Sequence, residues 1–217
     1  MSIAAPDAPA SDCPICPRLS AFRHANQEKF PSFHNAPVPS FGPLDARLLI
    51  VGLAPGLKGA NQTGRPFTGD YAGDLLYATL KKFGFARGDY DKRPDDGLSL
   101  HDCRITNAVR CVPPENKPTT QESKECLGFL TSELTTLPRL KALVALGGIA
   151  HGSVLSALGL RKSHCKFAHN SVHELPNGLL LIDSYHCSRY NTNTGRLTEE
   201  MFEDVFRSVR NRLDPED

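Results

Sequence analysis

Four of the seven cysteines have a spacing that could bind a metal. Cys13 and Cys16 form a C-x2-C pair near the start of the chain, and Cys111 and Cys126 stand on either side of the turn VPPENKP. Four thiolates from two parts of a chain can make one tetrahedral site for zinc or for an iron–sulfur cluster. Since the second pair is not a compact C-x2-C, ordinary buried cysteines explain the spacing equally well. We expect the remaining three to be small core or surface residues: Cys103, Cys165 and Cys187.

A long loop is the second feature that suggests a binding site. It follows the apolar segment 47–51, is rich in glycine and proline, and contains Phe67 and Asp70 before the next helical pattern begins. Most connections between a strand and a helix have about 2–6 residues, so a simple connection does not need this length. The composition therefore predicts a loop that is ordered because it binds something.

Short apolar segments alternate with helical patterns along the chain, which predicts the elements that position these residues. Strands are expected where apolar residues are nearly continuous: 47–53, 104–110, 141–146 and 178–186. Helices are expected around and between them: 19–29, 72–83, 120–136, 147–159 and 198–213. We expect segment 86–99 to be a polar surface loop. Short apolar strands separated by helices are typical of a parallel sheet that is covered on both faces.

The predicted fold class is α/β, a three-layer α/β/α sandwich with a central sheet of four parallel strands. Residues 13–217 are predicted to form this single domain, and residues 1–12, which are rich in proline and alanine, a disordered leader. In such sheets, ligands bind beyond the carboxyl ends of the strands. The loops that should converge there follow Val51, Arg110, Leu146 and Ser184.

Net charge and hydropathy limit the partners of the chain. The 25 Lys and Arg residues nearly balance the 24 Asp and Glu residues, so a polyanionic partner must be recognised by a local patch of positive charge. No apolar run approaches the ~18 residues that a membrane helix needs, and the first residues lack the basic and apolar regions of a signal peptide. An odd number of cysteines favours metal or redox chemistry over a disulfide framework. We therefore expect a protein in the cytoplasm with no membrane partner.

Four sequence blocks together resemble one known family. In chain order they read GLAPGLKGANQTGRPFTGDYAG, TNAVRCVPPENKPT, ALGGIAH and HCSRYNTNTGRLT. They are similar to the signature blocks of the family 5, or type B, uracil-DNA glycosylases. The resemblance runs from Cys13 to about Thr198, nearly the whole chain, and is far more specific than a single glycine motif.

The resemblance implies the fold of the uracil-DNA glycosylase superfamily, which agrees with the predicted sandwich. It implies a [4Fe-4S] cluster, held by Cys13, Cys16, Cys111 and Cys126, that keeps DNA-facing loops in place. It also implies a monofunctional DNA repair glycosylase that flips out uracil and other deaminated bases, such as hypoxanthine and xanthine, and hydrolyses the N-glycosidic bond to leave an abasic site. Such an enzyme would act on DNA as a monomer.

The same resemblance assigns the walls of a base pocket. Phe67 matches the position that stacks on the flipped base, although a core Phe that closes the loop is the alternative. Asn107 is the expected base reader because an amide can bond a carbonyl and an imide N–H together, while an Asn at a strand end is also common; Asn116 is a weaker candidate. Gly52 lets the base approach the backbone closely. Ala54 stands where several relatives have an acid or amide that positions water.

Two residues are implied to be catalytic. Asp70 matches the carboxylate of the family's FTGD motif and would orient water or stabilise a cationic sugar, with a plain helix cap as the alternative. His186 would donate a hydrogen bond to the leaving base as negative charge develops, and a histidine satisfied by the backbone is its alternative. Cys187 replaces the proline that many relatives have after this histidine. That change leaves the rigidity of the loop open, because only proline fixes φ.

Contacts with the DNA backbone are expected from polar and basic residues. They are Lys58, Arg65, Ser188, Arg189, Asn191 and Arg196. Arg110 is expected to add local charge and Tyr190 to act as a wedge, although any one of the basic residues could be a solvated surface charge. His151 is expected to be structural, and residues 147–148 to admit a phosphate at a helix N-terminus.

Two other functions fit the same residues. An iron–sulfur module could bind damaged or abasic DNA without cleaving it, and Ala54 would then mark a lost catalytic group. A nucleotide-binding α/β domain unrelated to DNA could use the loop to hold a phosphate, since fold alone does not determine function. Replacement of Asp70 by Asn separates the first two functions, because only a glycosylase would lose base release while it kept DNA binding. The third predicts that free nucleotides stabilise the fold.

Overall fold

The structure is a computed structural model that describes residues 3–215. Its strands in chain order are β1 (Leu48–Gly52), β2 (Ala86–Arg87), β3 (Ser99–Leu100), β4 (Cys103–Asn107), β5 (Ala142–Leu146), β6 (Val172–Glu174) and β7 (Leu180–Ser184). Strands β1 and β5 are buried along their whole length, as continuous Leu, Ile, Val and Ala segments require. The ends of the predicted leader and domain, residues 1–2 and 216–217, lie outside the described residues.

The central sheet has five strands in the order β4-β1-β5-β7-β6. Four of them are parallel, as predicted, and β6 pairs antiparallel with β7 at the edge. The prediction of four strands is therefore wrong, because it missed the edge strand β6. Strand β6 has only three residues and is half-buried to exposed, so it carries no apolar run that would reveal it in the sequence.

Eight helices surround the sheet in the described part of the chain. They are α1 (Pro17–Lys29), α2 (Ala60–Thr63), α3 (Tyr71–Lys82), α4 (Thr120–Glu125), α5 (Leu127–Thr136), α6 (Gly148–Ala157), α7 (Arg189–Asn193) and α8 (Glu199–Leu213). The single helix predicted at 120–136 is divided at Cys126, where ψ opens to −8° and the chain turns between α4 and α5. The predicted surface loop 86–99 contains the short antiparallel pair β2 and β3 at its two ends.

Two hydrophobic cores, one on each face of the sheet, confirm the three-layer arrangement. One core packs α3 and α8 on the sheet through residues such as Leu76 and Phe206. The other packs α5 and α6 through residues such as Leu130 and Val154. Since both faces are covered, ligands have access at the strand ends, where the long loop after β1 and the loops after β4 and β7 meet.

The N-terminal segment 3–12 forms no helix or strand, and the backbone N–H of Asp7 donates to Ser132 Oγ at 2.8 Å. The disordered leader stays a prediction. Across residues 3–215, every helix is too short or too polar to span a membrane.

Candidate active site

A cleft of about 660 Å³ opens at the carboxyl ends of β1, β4 and β7. It is within the range of small-molecule sites, roughly 300–1,000 Å³. The structure brings most of the predicted site residues to its walls: Ala54, Lys58, Phe67, Asp70, Asn107, Asn116, His186, Ser188 and Arg189. Three of the four loops that were expected to converge, those after β1, β4 and β7, therefore supply one site, whereas no residue of the loop after Leu146 lines this cleft.

Phe67 has a backbone that is fixed from both sides. Its φ is +52°, an uncommon conformation for a residue with a side chain. The hydroxyl of Tyr77 donates to the carbonyl of Pro66 at 2.6 Å, and the hydroxyl of Tyr90 donates to the carbonyl of Phe67 at 3.3 Å. The side chain is 8% exposed and still lines the cleft, so Phe67 both closes the loop and presents its ring.

Gly52 lies against the ring of Phe67 and the amide of Asn107. A Cβ atom at this position would lie 2.7 Å from Cζ of Phe67 and would overlap Oδ1 of Asn107. Gly52 and Asn107 are partners in the register of β1 and β4. The glycine therefore lets the stacking ring and the amide come together on the same wall of the cleft.

The Asn107 side chain lies at the end of β4 and is 3% exposed. Within residues 3–215 we find no protein hydrogen bond to its amide, which faces the cleft. The amide is accessible from the cleft and not engaged by the protein, so its acceptor and donors are free for a ligand.

The structure corrects the prediction that Arg65 contacts DNA. Its side chain is buried, and its Nη1 and Nη2 atoms donate to Asp96 Oδ1 and Oδ2 at 2.8 and 2.7 Å. Its Nε donates to Thr68 Oγ1 at 2.8 Å. The guanidinium is therefore occupied inside the protein and holds the loop that carries Phe67. Burial alone would raise the pKa of Asp96, but hydrogen bonds from Arg65 and from two backbone amides hold it well below its usual range.

Arg110 is also buried, and its Nη2 lies 3.2 Å from Glu133 Oε1. Because Arg110 is part of an internal ion pair, it does not supply the local positive charge that was expected on the DNA-facing surface. In both cases the acid partner is far away in the sequence, and composition alone gives no sign of it.

Asp70 is the helix cap that the sequence suggested as the alternative to a catalytic role, and it also lines the cleft. It is the N-cap of α3, and its Oδ1 accepts from the backbone N–H groups of Ala72 and Gly73 at 3.1 and 3.4 Å. Its Oδ2 has no protein hydrogen bond within the described chain. A Cβ atom at Gly59 would overlap this oxygen and lie 2.9 Å from Cγ of Asp70. The cap thus fixes the carboxylate, and the second oxygen faces the cleft.

His186 follows the end of β7, with its ring centroid 5.9 Å from that of Phe67. Burial lowers the pKa of His186, and the negative charge of Asp70 opposes that effect only in part. The imidazole is therefore neutral at pH 7 and can donate a hydrogen bond. The loop is held at two points: Asn191 Nδ2 donates to the His186 carbonyl at 2.8 Å, and Cys187 Sγ donates to the Ala72 carbonyl at 3.5 Å. The contact of Cys187 supplies an anchor where relatives have proline.

The predicted DNA contacts after β7 divide into two groups. Ser188 and Arg189 line the cleft, and the Arg189 guanidinium lies 5.4 Å from the ring centroid of Tyr71. By contrast, the Asn191 side chain is bound to the His186 carbonyl, and Arg196 stacks 4.7 Å from the ring centroid of Tyr185. The second pair therefore supports the loop, and direct contact of these two residues with DNA stays a prediction.

The four cysteines of the candidate metal site come together in a separate cleft. Cys13 and Cys16 lie at the start of α1, Cys111 follows β4, and Cys126 lies between α4 and α5; all four line this cleft. Burial, nearby cysteines and a nearby carboxylate raise the pKa of Cys16 to about 12. The site is therefore a group of thiols that need a cation in order to be ionised together.

The distances between the four cysteine sulfur atoms distinguish a zinc site from a [4Fe-4S] site. In a tetrahedral zinc site with Zn–S bonds of about 2.3 Å, sulfur atoms are roughly 3.8 Å apart. Among residues 3–215, no three of these sulfurs lie within 4.8 Å of one another. In a [4Fe-4S] cluster, each cysteine binds a different iron, which sets the sulfurs farther apart. The donor set and its spacing therefore fit the cluster better than a single zinc ion.

Ala54 connects the two sites. It lines the base cleft and also packs against the cluster of Leu19, Val109, Cys111 and Cys126. A small residue at this position thus lets the cysteine region support a wall of the cleft.

Sequence reasoning missed three supporting groups. Tyr71 lines the cleft under Arg189 and could have been found from its place directly after Asp70. Asp96 lies in a segment that was predicted to be a polar surface loop, so no local pattern in the sequence indicates that it is buried. Arg23 is 2% exposed; its Nη1 lies 3.9 Å from Cys111 Sγ, and its guanidinium donates to the Cys13 carbonyl.

Comparisons with known proteins agree with this geometry. The family model of the uracil DNA glycosylase superfamily matches residues 39–210. A type-5 uracil-DNA glycosylase of Thermus thermophilus is 45% identical over 203 residues, which cover 91% of this chain and 92% of that protein. One of Mycobacterium leprae is 41% identical over 214 residues, with 94% and 93% covered. A type-4 uracil-DNA glycosylase of Pyrobaculum aerophilum is 34% identical over 125 residues, with 57% and 56% covered. These matches confirm the resemblance of the sequence blocks: the chain belongs to the uracil-DNA glycosylase superfamily and, within it, to the type-5 uracil-DNA glycosylases.

Proposed function

We propose that this protein is a monofunctional DNA glycosylase that flips uracil out of DNA and hydrolyses its N-glycosidic bond, leaving an abasic site. Membership of the type-5 family supports the reaction class. The observation that carries the proposal is one cleft in which an aromatic face, an unpaired amide, a fixed carboxylate and a neutral histidine converge. This set is what base extraction and cleavage of a glycosidic bond require.

Base recognition belongs to Phe67 and Asn107. The ring of Phe67 stacks on the extruded base and replaces the stacking that the base loses when it leaves the duplex. The Asn107 amide offers one acceptor and two donors, so it can bond a carbonyl and an imide N–H of uracil together. Because its backbone is fixed by the pairing of β4 with β1, the amide is positioned before the base arrives.

Asp70 stabilises the charge that develops on the sugar. As the glycosidic bond breaks, the sugar gains oxocarbenium character, and a carboxylate held close to it lowers the barrier. Two backbone N–H groups hold Oδ1, which leaves Oδ2 to face the sugar or to orient the attacking water. Ala54 offers no polar group for this task, so the role falls to Asp70.

His186 stabilises the leaving base. Its neutral imidazole donates a hydrogen bond to a base carbonyl on which negative charge develops. The lowered pKa of His186 keeps the ring neutral at pH 7, so no second positive charge opposes the cationic sugar. The base departs as an anion that this hydrogen bond stabilises.

We further propose that hypoxanthine and xanthine are substrates. The cleft volume of about 660 Å³ leaves room for a purine. The amide of Asn107 can bond the carbonyl and N–H edge that deaminated purines share with uracil. Deamination also produces mispairs, in which extraction of the base costs least.

DNA would lie across the rim of the cleft, with Lys58, Ser188 and Arg189 at its backbone. Lys58 is exposed, and the cation–π contact of Arg189 with Tyr71 sets the guanidinium at the rim. Tyr190 is 72% exposed, which suits a side chain that enters the base stack as a wedge. All of these groups come from one chain, which supports a monomer. Seven free cysteines are compatible with the reducing cytoplasm.

The four cysteines would hold a [4Fe-4S] cluster, for which the spacing of the thiols is the support. The cluster supplies a structural cross-link between the N-terminal segment, the loop after β4 and the α4–α5 junction. Arg23 places a buried positive charge next to these sulfurs and so balances the negative charge of thiolate ligands.

The test is release of free base from duplexes that carry uracil, hypoxanthine or xanthine, read as strand breaks after alkaline treatment. Wild-type protein should give breaks with all three, Asn107→Ala should give very few, and Asn211→Ala, an exposed position on α8, should match wild type. Breaks with uracil alone would limit the proposal to the narrower substrate. Binding of the duplexes without breaks would favour a DNA-binding module in which Ala54 marks a lost catalytic group.

A further inference from the structure

Three side chains from three elements meet near the end of β7, the strand that precedes His186. Asp183 lies on β7, His151 on α6 and His173 on β6. Asp183 Oδ1 is 2.7 Å from His151 Nδ1, and Asp183 Oδ2 is 3.1 Å from His173 Nε2. Asp183 is fully buried and His151 nearly so, whereas the His173 side chain is 17% exposed and gives access from solvent.

Hydrogen-bond accounting shows that a positive charge, either a proton or a metal ion, belongs between His151 and Asp183. His151 Nε2 lies 3.0 Å from the Cys165 carbonyl, which can only accept, so this nitrogen carries a proton. In a neutral imidazole, Nδ1 then presents a lone pair, and it faces the carboxylate oxygen of Asp183 at 2.7 Å. Two lone pairs at this distance repel, and a buried carboxylate requires a counter-charge.

We propose that a divalent metal ion of the zinc class binds between His151, His173 and Asp183. Their ligand atoms all lie within 4.8 Å of one another. Two imidazole nitrogens and one carboxylate oxygen are ligands that zinc accepts, with a fourth position left for water or another group. Nothing in the base cleft or the cysteine site uses these three side chains.

The surroundings of His151 match those of a metal ligand. A ligating histidine commonly donates its other ring N–H to a backbone carbonyl, which fixes the tautomer, and the Cys165 carbonyl does this for His151. The rings of His151 and Phe167 also pack in a T-shaped arrangement with their centroids 5.7 Å apart, which holds the imidazole plane. The ring is thus oriented with Nδ1 toward the other two ligands.

The ion would cross-link α6, β6 and β7. Strand β6 has three residues and pairs only with β7 in the described structure, so it is the least secured strand of the central sheet. A metal that joins His173 to Asp183 fixes this edge. It also braces β7, which ends two residues before His186, so the expected role is structural.

The direct test is metal content. Purified wild type, His173→Gln and His164→Gln are dialysed against Zn²⁺ and then against metal-free buffer, and zinc and iron are measured in each. His164 is exposed and stands next to Cys165, so it is the matched control. Wild type and His164→Gln should hold one zinc per chain more than His173→Gln, with equal iron in all three. Equal zinc in all three would overturn the proposal and leave a shared proton between His151 and Asp183.

A second measurement uses only the wild-type protein, so it does not depend on the folding of a variant. Crystals of the wild-type protein are soaked with Zn²⁺, and diffraction is recorded on both sides of the zinc absorption edge. An anomalous peak bounded by the three side chains is expected. No peak there, in crystals where zinc binds elsewhere on the protein, contradicts the proposal.

Discussion

The base cleft and the cysteine site share the residue Ala54, but they are held together differently. The walls of the cleft are fixed by bonds between protein groups, such as the Arg65–Asp96 ion pair, and the atoms proposed to act on DNA are left without partners. In the cysteine site the four cysteines line one small cleft, and Arg23 Nε is buried without a partner in the described structure. The chain alone therefore preforms the cleft, while the proposed cluster would complete the cysteine site.

The largest effect is expected from loss of one cysteine. Cys126→Ala removes one of the four proposed cluster ligands, which would join α4 and α5 to the N-terminal segment, so the iron content should fall from about four per chain to near zero. Iron analysis and visible absorption of the purified protein measure this. Cys103→Ala, which removes a buried cysteine outside the group, should keep its iron. Full iron in Cys126→Ala would show that the four cysteines do not form the site.

The next effect is on the scaffold of the cleft. Asp96→Asn breaks an ion pair whose two side chains are 5% and 1% exposed. Removal of one partner of such a pair typically costs about 3–5 kcal/mol, because the other charge stays buried. Urea unfolding should show this loss, while Asp95→Asn, at an exposed neighbouring position, should change little. A small loss in Asp96→Asn would mean that the loop with Phe67 is held by its tyrosine contacts instead.

The same pair gives a pH dependence with a defined sign. The pKa of Asp96 is well below its usual range in the folded protein, so its stabilising contribution is complete at neutral pH. That contribution is lost as the pH falls below the unfolded-state pKa of about 4. The difference in unfolding free energy between wild type and Asp96→Asn should therefore narrow below this pH and stay constant above it.

The smallest effect is expected from Arg23. Arg23→Gln removes the buried charge next to Cys111 but no ligand, so iron should bind and then be lost faster. Groups that support metal ligands typically contribute about 10–100-fold in affinity, and we expect the lower end. The rate of iron loss to a chelator measures this, with Lys29→Gln at the exposed end of α1 as control. An unchanged rate would show that Arg23 only binds the Cys13 carbonyl.

The sequence predicts the layers of the fold well because each depends on a local pattern. Apolar runs predict β1, β4, β5 and β7, and the edge strand β6 escapes because it has three half-buried to exposed residues. The split at Cys126 also escapes, since residues 120–136 have a continuous helical pattern.

For the site, prediction depends on whether the partner of a residue is near in the chain. The helix cap that was the alternative role for Asp70 is correct, and the sequence reveals it because the amides that Asp70 binds follow it directly. Arg65 is misread as a DNA contact because Asp96 lies 31 positions away, in a segment with no apolar pattern. The grouping of four cysteines is read from spacing only together with the family resemblance, since two distant pairs have no fixed geometry in sequence.

The central claim is that Asp70 acts on the sugar, beyond its role as a helix cap. The most direct measurement is the single-turnover rate of uracil release by wild type, Asp70→Asn and the control Asp74→Asn, with duplex binding measured in parallel. Asn keeps an oxygen that can cap α3 but has no charge, so the rate should fall by about 10²–10³-fold with binding unchanged. Release by Asp70→Asn at the wild-type rate would contradict the account and leave Asp70 as a cap alone.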